Sequence, residues 1–181
     1  MKTLSHFNKI QIFPAICALA LIGLLWLTAP AHATPACGLT TEYITPDTGI
    51  RWEQIRASAK SIEDLWKSRL DTIGASDLYV VRNTFIPFGN SGWHTHPGIS
   101  LVMVISGTIA VYDGDDTTCT PQYYSAGSSF TDPSSAGHVH LLRNEDPAVD
   151  AVTVAVQLVP AGAARRIDSP DPGFCEPFTC E

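Results

Sequence analysis

The sequence predicts a small all-β barrel with one helix on its N-terminal side, behind a leader that is removed on export. Three observations support this. Beyond Gly74, short β-rich runs alternate with clusters of Gly, Pro, Asp and Ser, which is typical of sandwiches and barrels. A stripe of apolar residues at helical spacing precedes these runs. An apolar segment near the N-terminus ends in small residues.

Residues 1–33 have the features of a signal peptide. Two lysines and an apolar run over residues 10–27 lead to an A-x-A cleavage site at residues 31–33, which is the usual order of such a leader. An uncleaved membrane anchor is the alternative, but polar and proline interruptions of the run favour cleavage after Ala33. We therefore expect a secreted or periplasmic protein that begins at Thr34 and has no stable membrane insertion.

The charge of the mature chain, residues 34–181, limits its partners. The leader holds two of the 11 basic residues and none of the 18 acidic ones, so its removal makes the net charge more negative than −7. An acidic surface repels nucleic acid. The adjacent pair Arg165 and Arg166 is interpreted as a solvated strand end rather than a binding patch. The expected partner is therefore a small molecule.

Four cysteines remain after cleavage, and an even number in an exported chain indicates two disulfides. A zinc site is the alternative, but the cysteines are scattered and none belongs to a Cys-x-x-Cys pair. The sequence leaves all three pairings open. The four are Cys37, Cys119, Cys175 and Cys180.

Residues 34–74 are predicted to form an arm and one helix. Residues 34–47 are rich in Thr, Pro and Gly and end in a turn. Over residues 51–70, apolar side chains recur at steps of three and four, which predicts an amphipathic helix whose stripe packs on the core. A ligand-binding role for the tryptophans of the stripe is the alternative. The stripe consists of Trp52, Ile55, Ala59, Ile62, Trp66 and Leu70.

Residues 75–160 are predicted to form the barrel, and residues 161–181 a tail held by its two cysteines. Ser106 and Gly107 are expected to form a tight hairpin turn, and the acidic residues 113–116 a second, solvated one. A calcium loop is the alternative for the second turn, but it lacks the EF-hand spacing. The predicted strands cover residues 78–86, 99–105, 108–112, 122–124, 128–130, 138–143 and 152–159.

All histidines of the mature chain lie in two His-x-His pairs, His94 with His96 and His138 with His140. Alternate residues of a strand share a face, so each pair directs two imidazoles to one side. Isolated structural histidines are the alternative, but two such pairs favour one divalent metal ion. Neutral imidazole suits Zn, Fe, Cu, Ni and Mn.

The residues around the first histidine pair resemble the first motif of the cupin family. That motif runs Gly, five residues, His-x-His, three or four residues, Glu, six residues, Gly. His96 is followed at the motif spacing by Ser100 and then by Gly107, so serine replaces the glutamate. The leading glycine, Gly89, stands one residue closer than the motif asks.

The second pair lies in a segment that is similar to the second cupin motif, which runs Gly, five residues, Pro-x-Gly, two residues, His, three residues, Asn. This chain has Gly127, Pro133, Gly137, His140 and Asn144, with two extra residues between the proline and the second glycine. The resemblance covers about residues 78–159. It implies a cupin-type double-stranded β-helix, a jelly-roll barrel.

The resemblance implies that His94, His96 and His140 hold the metal, without the usual glutamate. Three neutral imidazoles would leave the ion its full charge, which favours an anionic ligand. His138 is either a fourth ligand or a base near the pocket. Ser100 is a poor ligand and is expected to hydrogen-bond a bound molecule or a water.

Cupins include several classes of enzymes and binding proteins, so three functions stay open. The first is a metal-dependent oxygenase that acts on a small anionic or oxygenated molecule. The second is a non-catalytic binding or sensing module. The third is a lyase or isomerase with Tyr112, Tyr124 or His138 as base; the catalytic candidates are His138, Tyr112 and Ser100. Trp93 is expected to pack outside the strand or in a homodimer interface.

Overall fold

A computed structural model describes residues 33–63, 65–132 and 138–179, and these are all-β. They contain no helix long and apolar enough to cross a membrane. The predicted leader lies outside the described residues, apart from Ala33. The strands are β1 Cys37–Tyr43, β2 Ile50–Trp52, β3 Arg56–Lys60, β4 Lys67–Asp71, β5 Ser76–Asn90, β6 His94–Thr95, β7 Ile99–Ser106, β8 Thr108–Asp113, β9 Gln122–Ser125, β10 Ser129–Asp132, β11 His140–Arg143, β12 Ala151–Pro160 and β13 Ile167–Asp168.

Eleven of these strands form one antiparallel sheet that curls into a nearly closed barrel. Strands β10, β7, β12 and β5 are neighbours in that order, and β1 and β2 also pair with β5. Strands β11, β6 and β13 continue from β5, while β8 pairs with both β11 and β9. The predicted double-stranded β-helix is confirmed.

The long strand β5 connects the two walls of the barrel. Its first part pairs with β12, from Ser76 to Phe85, and its last residue, Asn90, pairs with Arg143 of β11. The strand bends at Phe88, which has a φ of 57°. A Cβ at the following Gly89 would lie 2.5 Å from the carbonyl oxygen of Gly38. The bend therefore requires glycine at this position of the first motif.

Alternation along the strands fills the barrel. Every second residue of β12 is buried, as expected for a strand with one face on the core. One core cluster consists of Phe85, Ile109, Leu142 and Ala151. A second consists of Trp93, Ala110, Tyr112 and Leu141 and is covered by Phe178 of the tail.

The helix predicted over residues 51–70 is wrong. The described part of this segment consists of β2 and the two-stranded hairpin β3–β4, in which all strand residues are exposed. Of the predicted apolar stripe only Ile55 is buried, and Ile62 is fully exposed. Ser61 caps the hairpin turn, because its hydroxyl accepts from the backbone N–H of Trp66 and its own backbone N–H donates to the carbonyl of Trp66. A helical stripe is stabilised chiefly by tertiary packing, and among the described residues only Ile55 of this stripe is buried.

The predicted barrel strands match the observed ones within a few residues, but one turn is wrong. Ser106 and Gly107 do not join a hairpin, because β7 pairs with β10 and β12 whereas β8 pairs with β9 and β11. The chain therefore passes from one wall of the barrel to the other at this point. Gly107 has a φ of 72°, and a Cβ there would lie 2.8 Å from the backbone of Ala151.

A disulfide between Cys119 and Cys175 fastens the tail to the loop after β8. The sequence did not choose this pairing. Cys37 is disulfide-bonded as well, and Cys180 lies outside the described residues. Phe178, near the end of the tail, has its ring centre 6.3 Å from that of Trp93 and 4.7 Å from that of Tyr112. The tail thus covers Trp93, which is 1% exposed.

Candidate metal centre

Four polar side chains converge inside the barrel. His94 of β6 pairs directly with His140 of β11, and His96 follows His94 two residues later. Asp132 ends β10, where it pairs with Ser100 of β7. The ligand atoms of the three histidines and Asp132 all lie within 4.8 Å of one another. Each of the four residues is at most 5% exposed.

Backbone carbonyls orient two of the imidazoles. Nδ1 of His94 lies 2.9 Å from the carbonyl oxygen of Gly92, and Nδ1 of His96 lies 2.8 Å from that of Arg165. A carbonyl oxygen only accepts, so both Nδ1 atoms carry a proton, and in the neutral rings both Nε2 atoms keep a lone pair. This arrangement fixes the tautomer of a metal-binding histidine.

Asp132 lies between the other two imidazole edges. Its carboxylate oxygens are 2.9 Å from Nε2 of His140 and 3.1 Å from Nε2 of His96. Burial alone would raise the pKa of Asp132, but hydrogen bonds from His140 and His96, in the form of these rings that carries a proton on Nε2, outweigh it and hold the pKa well below its usual range. The carboxylate is therefore ionised at neutral pH.

The contact between Asp132 and His140 suits a shared cation. Neither Oδ1 of Asp132 nor either ring nitrogen of His140 has an aligned hydrogen bond among the described residues, although all three atoms are buried. Buried polar atoms without partners are costly. Burial, and then the neighbouring His140, also push the pKa of His94 well below its usual value. A neutral imidazole and an ionised carboxylate are the forms that bind a metal.

Ser100 and Gln157 form the wall next to the cluster. Both are buried, and the amide nitrogen of Gln157 donates to the hydroxyl of Ser100 at 3.3 Å. The same nitrogen lies 3.3 and 3.4 Å from the two ring nitrogens of His96. Ser100 thus occupies the glutamate position of the motif without contributing a ligand-type carboxylate.

A cavity of about 260 Å³ opens beside the cluster. His94, His96 and Asp132 contribute to its wall, and so do Arg165 and Arg166 from the segment after β12. The interpretation of this arginine pair as a solvated strand end is therefore wrong. The cavity is lined by polar groups, two cations and a few apolar side chains.

The other predicted residues lie elsewhere. His138 contacts Asp113 and Asp115 at the end of β8, with its ring nitrogens 3.2 and 3.5 Å from their carboxylates. Its ring centre is 6.5 Å from that of His140, and it does not belong to the four-residue cluster. The acidic turn, which was predicted to be solvated, therefore has His138 beside two of its carboxylates.

The tyrosine candidates line a second cavity, of about 340 Å³, together with His138 and one side of His140. The hydroxyl of Tyr112 donates to Glu145, and burial, followed by this hydrogen bond, raises its pKa. The hydroxyl of Tyr124 donates to Gln122 at 2.8 Å. Neither tyrosine lines the cavity that holds Arg165.

Asn144 of the second motif has a structural role. Its side-chain nitrogen donates to the carbonyl groups of Phe85, Ile86 and Val149. Its oxygen accepts from the backbone of Asp146. The residue therefore holds the turn before β12 against the bend of β5. Pro133 and Gly137 of the same motif lie outside the described residues.

Sequence reasoning missed Asp132, which completes the cluster. The site was predicted to consist of imidazoles alone, whereas the structure adds a carboxylate from the strand opposite Ser100. The predicted strand over residues 128–130 stopped short of this residue. A strand prediction that extended to residue 132 and paired it with β7 would have placed Asp132 next to Ser100. Such pairing between distant strands cannot be inferred from the local sequence.

Fold and cluster together define a double-stranded β-helix protein with a buried set of donors that suits a metal ion. No family model matches the chain, and no curated protein matches it. The solved structures to which it is similar include cupin and double-stranded β-helix proteins.

Three of the similar structures illustrate the degree of similarity in sequence and in fold. The polyketide cyclase RemF from Streptomyces resistomycificus is 15% identical, with 78% of this chain and 80% of that one covered and a TM-score of 0.49. An uncharacterised protein with a double-stranded β-helix domain from Klebsiella pneumoniae is 24% identical, covering 65% and 80%, with a TM-score of 0.43. An oxalate oxidase is 21% identical over 50% of this chain, which spans only 45% of that enzyme, with a TM-score of 0.42.

Proposed function

We propose that the protein is an exported metal-dependent oxygenase that acts on a small anionic or oxygenated molecule. His94, His96, His140 and Asp132 would hold one divalent ion, drawn from Fe, Mn, Cu, Ni or Zn. The observation that carries the proposal is the convergence of these four buried side chains within 4.8 Å. Three imidazoles and one carboxylate suit such ions better than Ca²⁺ or Mg²⁺, which prefer oxygen ligands.

The residues of the cluster are prepared for this role by their surroundings. The carbonyl groups of Gly92 and Arg165 keep the Nε2 lone pairs of His94 and His96 available. Asp132 supplies one negative charge, so the site keeps a net positive charge when a divalent ion is bound. When bound, the ion would supply a Lewis-acid centre and, if it is iron, manganese or copper, redox chemistry.

The composition of the cavity favours oxygenase chemistry over a lyase or isomerase. Among the described residues, the wall contributes no tyrosine, no further histidine and no carboxylate besides Asp132. Tyr112, Tyr124 and His138 line the second cavity instead. A reaction that needs a free general base within hydrogen-bond reach therefore has no base here outside the metal cluster.

A non-catalytic binding module is the second candidate, and the number of donors favours it. Four protein ligands saturate a tetrahedral zinc site, whereas catalytic zinc sites usually keep one position for water or substrate. If Asp132 and the three histidines all bind at once to such an ion, the metal would be structural. The identity of the ion separates the two candidates.

The test begins with elemental analysis of protein purified from its exported compartment, for wild type and His140→Ala. Wild type is expected to carry about one ion per chain, and the variant to lose it. Metal-free protein is then reloaded with Fe²⁺, Mn²⁺ or Zn²⁺ and screened in an oxygen electrode with small hydroxy and oxo acids. Oxygen uptake with iron or manganese and none with zinc supports the oxygenase. Acid binding without oxygen uptake for every metal supports the binding module.

A further inference from the structure

The cavity beside the cluster presents one cation that no carboxylate among the described residues neutralises. Among the described residues the guanidinium of Arg165 contacts only neutral groups. Its Nη1 donates to the amide oxygen of Gln157 at 2.9 Å, and its Nε donates to the hydroxyl of Tyr43 at 3.4 Å. It also lies 5.4 Å from the centre of the Tyr43 ring. Because arginine stays charged at physiological pH, this cation has its charge available to a bound anion.

The neighbouring Arg166 differs in this respect. Its Nε lies 2.6 Å from a carboxylate oxygen of Asp168, and its Nη2 donates to the backbone carbonyl of Ser91 at 2.6 Å. Its charge is therefore already paired, and its side chain connects the strand β13 to the loop before β6. Of the two adjacent arginines, only Arg165 is free to neutralise a ligand.

Two connections keep Arg165 close to the metal ligands. Its backbone carbonyl accepts the hydrogen bond from Nδ1 of His96 at 2.8 Å. Its guanidinium is bonded to Gln157, whose amide nitrogen lies against the His96 ring and donates to Ser100. One amide group thus spans the distance between the guanidinium and a histidine of the cluster, so a short molecule reaches both.

Building on the proposed metal centre, we propose that Arg165 is the anchor for a carboxylate of the ligand, whose other end carries oxygen atoms toward the cluster. The ligand class is a small organic acid with a second oxygen function, namely a dicarboxylate, a hydroxy acid or an oxo acid. A guanidinium offers paired donors that match both oxygens of a carboxylate. The cavity of about 260 Å³ lies below the roughly 300–1,000 Å³ of drug-sized sites.

The experiment measures binding without turnover. Full-length exported protein is loaded with Zn²⁺, which has no redox chemistry, and titrated calorimetrically with malonate, with acetate and with the neutral malonamide. Malonate is expected to bind more tightly than acetate, and malonamide not measurably. Arg165→Gln should weaken malonate binding about tenfold or more, as expected for a lost charge-assisted pair. Arg165→Lys should recover part of it, because lysine keeps the charge without the fork.

Arg69→Gln is the matched control, since it removes the same charge from an exposed site on β4, where Arg69 pairs with Asp71. This variant should bind malonate as wild type does. Equal malonate binding by wild type and Arg165→Gln overturns the anchor, and so does an absence of malonate binding. If no Zn²⁺ binds, the proposed metal centre fails. The anchor is then judged in the metal-free protein, where malonate binding that depends on Arg165 supports it and its absence overturns it.

Discussion

Ser100 and Asp132 lie directly opposite each other on strands β7 and β10, and both are buried. Opposed residues of an antiparallel pair have Cβ atoms about 4.5–5.5 Å apart on one face of the sheet. A carboxylate on either strand therefore reaches the same space. The chain lacks the glutamate of the first cupin motif, but it has a carboxylate at the cluster, supplied by the strand opposite that position.

This relationship predicts that the carboxylate is exchangeable between the two strands. Asp132→Ser should weaken metal binding at least roughly 100-fold, because even outer partners of metal ligands contribute about 10–100-fold. The double variant Ser100→Glu with Asp132→Ser should restore a large part of the affinity. Metal titration with a competing chelator measures all three proteins.

The single variant Ser100→Glu is the informative control for this exchange. It places two carboxylates side by side in a buried site, so metal-free protein should unfold at a lower temperature than wild type. A double variant that binds metal no better than Asp132→Ser would contradict the exchange. Circular dichroism of each variant verifies that the barrel has formed.

A second prediction concerns the histidines: the three in the cluster should be needed for metal binding, whereas the neighbouring His138 should not. Alanine at His94, His96 or His140 should each abolish stoichiometric metal binding, because each supplies one donor to the same point. His138→Ala should keep it, because His138 contacts Asp113 and Asp115 instead. Elemental analysis after dialysis gives the stoichiometry. Loss of metal from the His138 variant, with retention in the His140 variant, would reverse the assignment of the second motif.

The sequence predicted most of the barrel, because alternation of buried and exposed residues is a local property. Strand β12 illustrates this: each second residue from Ala151 to Val159 is buried, and the run was readable without the structure. The histidine pairs were readable for the same reason, since residues i and i+2 of a strand share a face.

The parts that sequence reasoning got wrong or missed depend on contacts between distant segments. Asp132 joins the cluster only through the pairing of β10 with β7, and Arg165 reaches His96 from 69 residues away along the chain. The apolar residues of the segment 51–70 have helical spacing, but spacing does not reveal whether a core faces them. Periodicity therefore misled where tertiary packing was absent.

A third prediction concerns pH and the ion pair that attaches β2 to β5. Nε of Arg51 lies 2.5 Å from a carboxylate oxygen of Asp77, whose side chain is 4% exposed, and the backbone of Gly162 donates to the other oxygen. The hydrogen bond from Arg51 is the largest cause of a lowered Asp77 pKa. A lowered pKa in the folded state stabilises the fold above the unfolded pKa of about 3.9. This contribution disappears as the pH falls through the folded value.

Urea unfolding of wild type and Asp77→Asn at several pH values tests whether the stabilisation by Asp77 is lost as the pH falls. The variant should be less stable at pH 7, and the difference between the two proteins should shrink below about pH 4. Asp71→Asn, in the exposed hairpin, is the control, and it should leave stability nearly unchanged. A difference that stays constant down to pH 2 would exclude the carboxylate as its cause.

A fourth prediction concerns the disulfide between Cys119 and Cys175. It closes a loop with a sequence separation of 56 residues, for which loss of the crosslink typically costs about 2–4 kcal/mol. The paired variant Cys119→Ser with Cys175→Ser should therefore melt at a lower temperature. Because the tail covers Trp93, local opening of the tail should also increase the access of acrylamide to tryptophan fluorescence. An additional Trp93→Phe change should remove that increase, and its persistence would locate the opening elsewhere.

The last prediction concerns the start of the mature chain. We expect the exported protein to begin at Thr34, which the structure places against the tail and the first histidine strand. The hydroxyl of Thr34 accepts from the backbone of Trp93 at 2.7 Å, and its backbone nitrogen donates to Ser169 at 3.1 Å. Intact-mass spectrometry of exported protein should give the mass of residues 34–181 with all four of its cysteines oxidised.

Thr34→Val should lower the free energy of unfolding by about 1 kcal/mol, because it removes the acceptor for a buried N–H. Thr48→Val, in an exposed turn, should have little effect, and an equal loss in both variants would show that Thr34 does not hold the N-terminus in place.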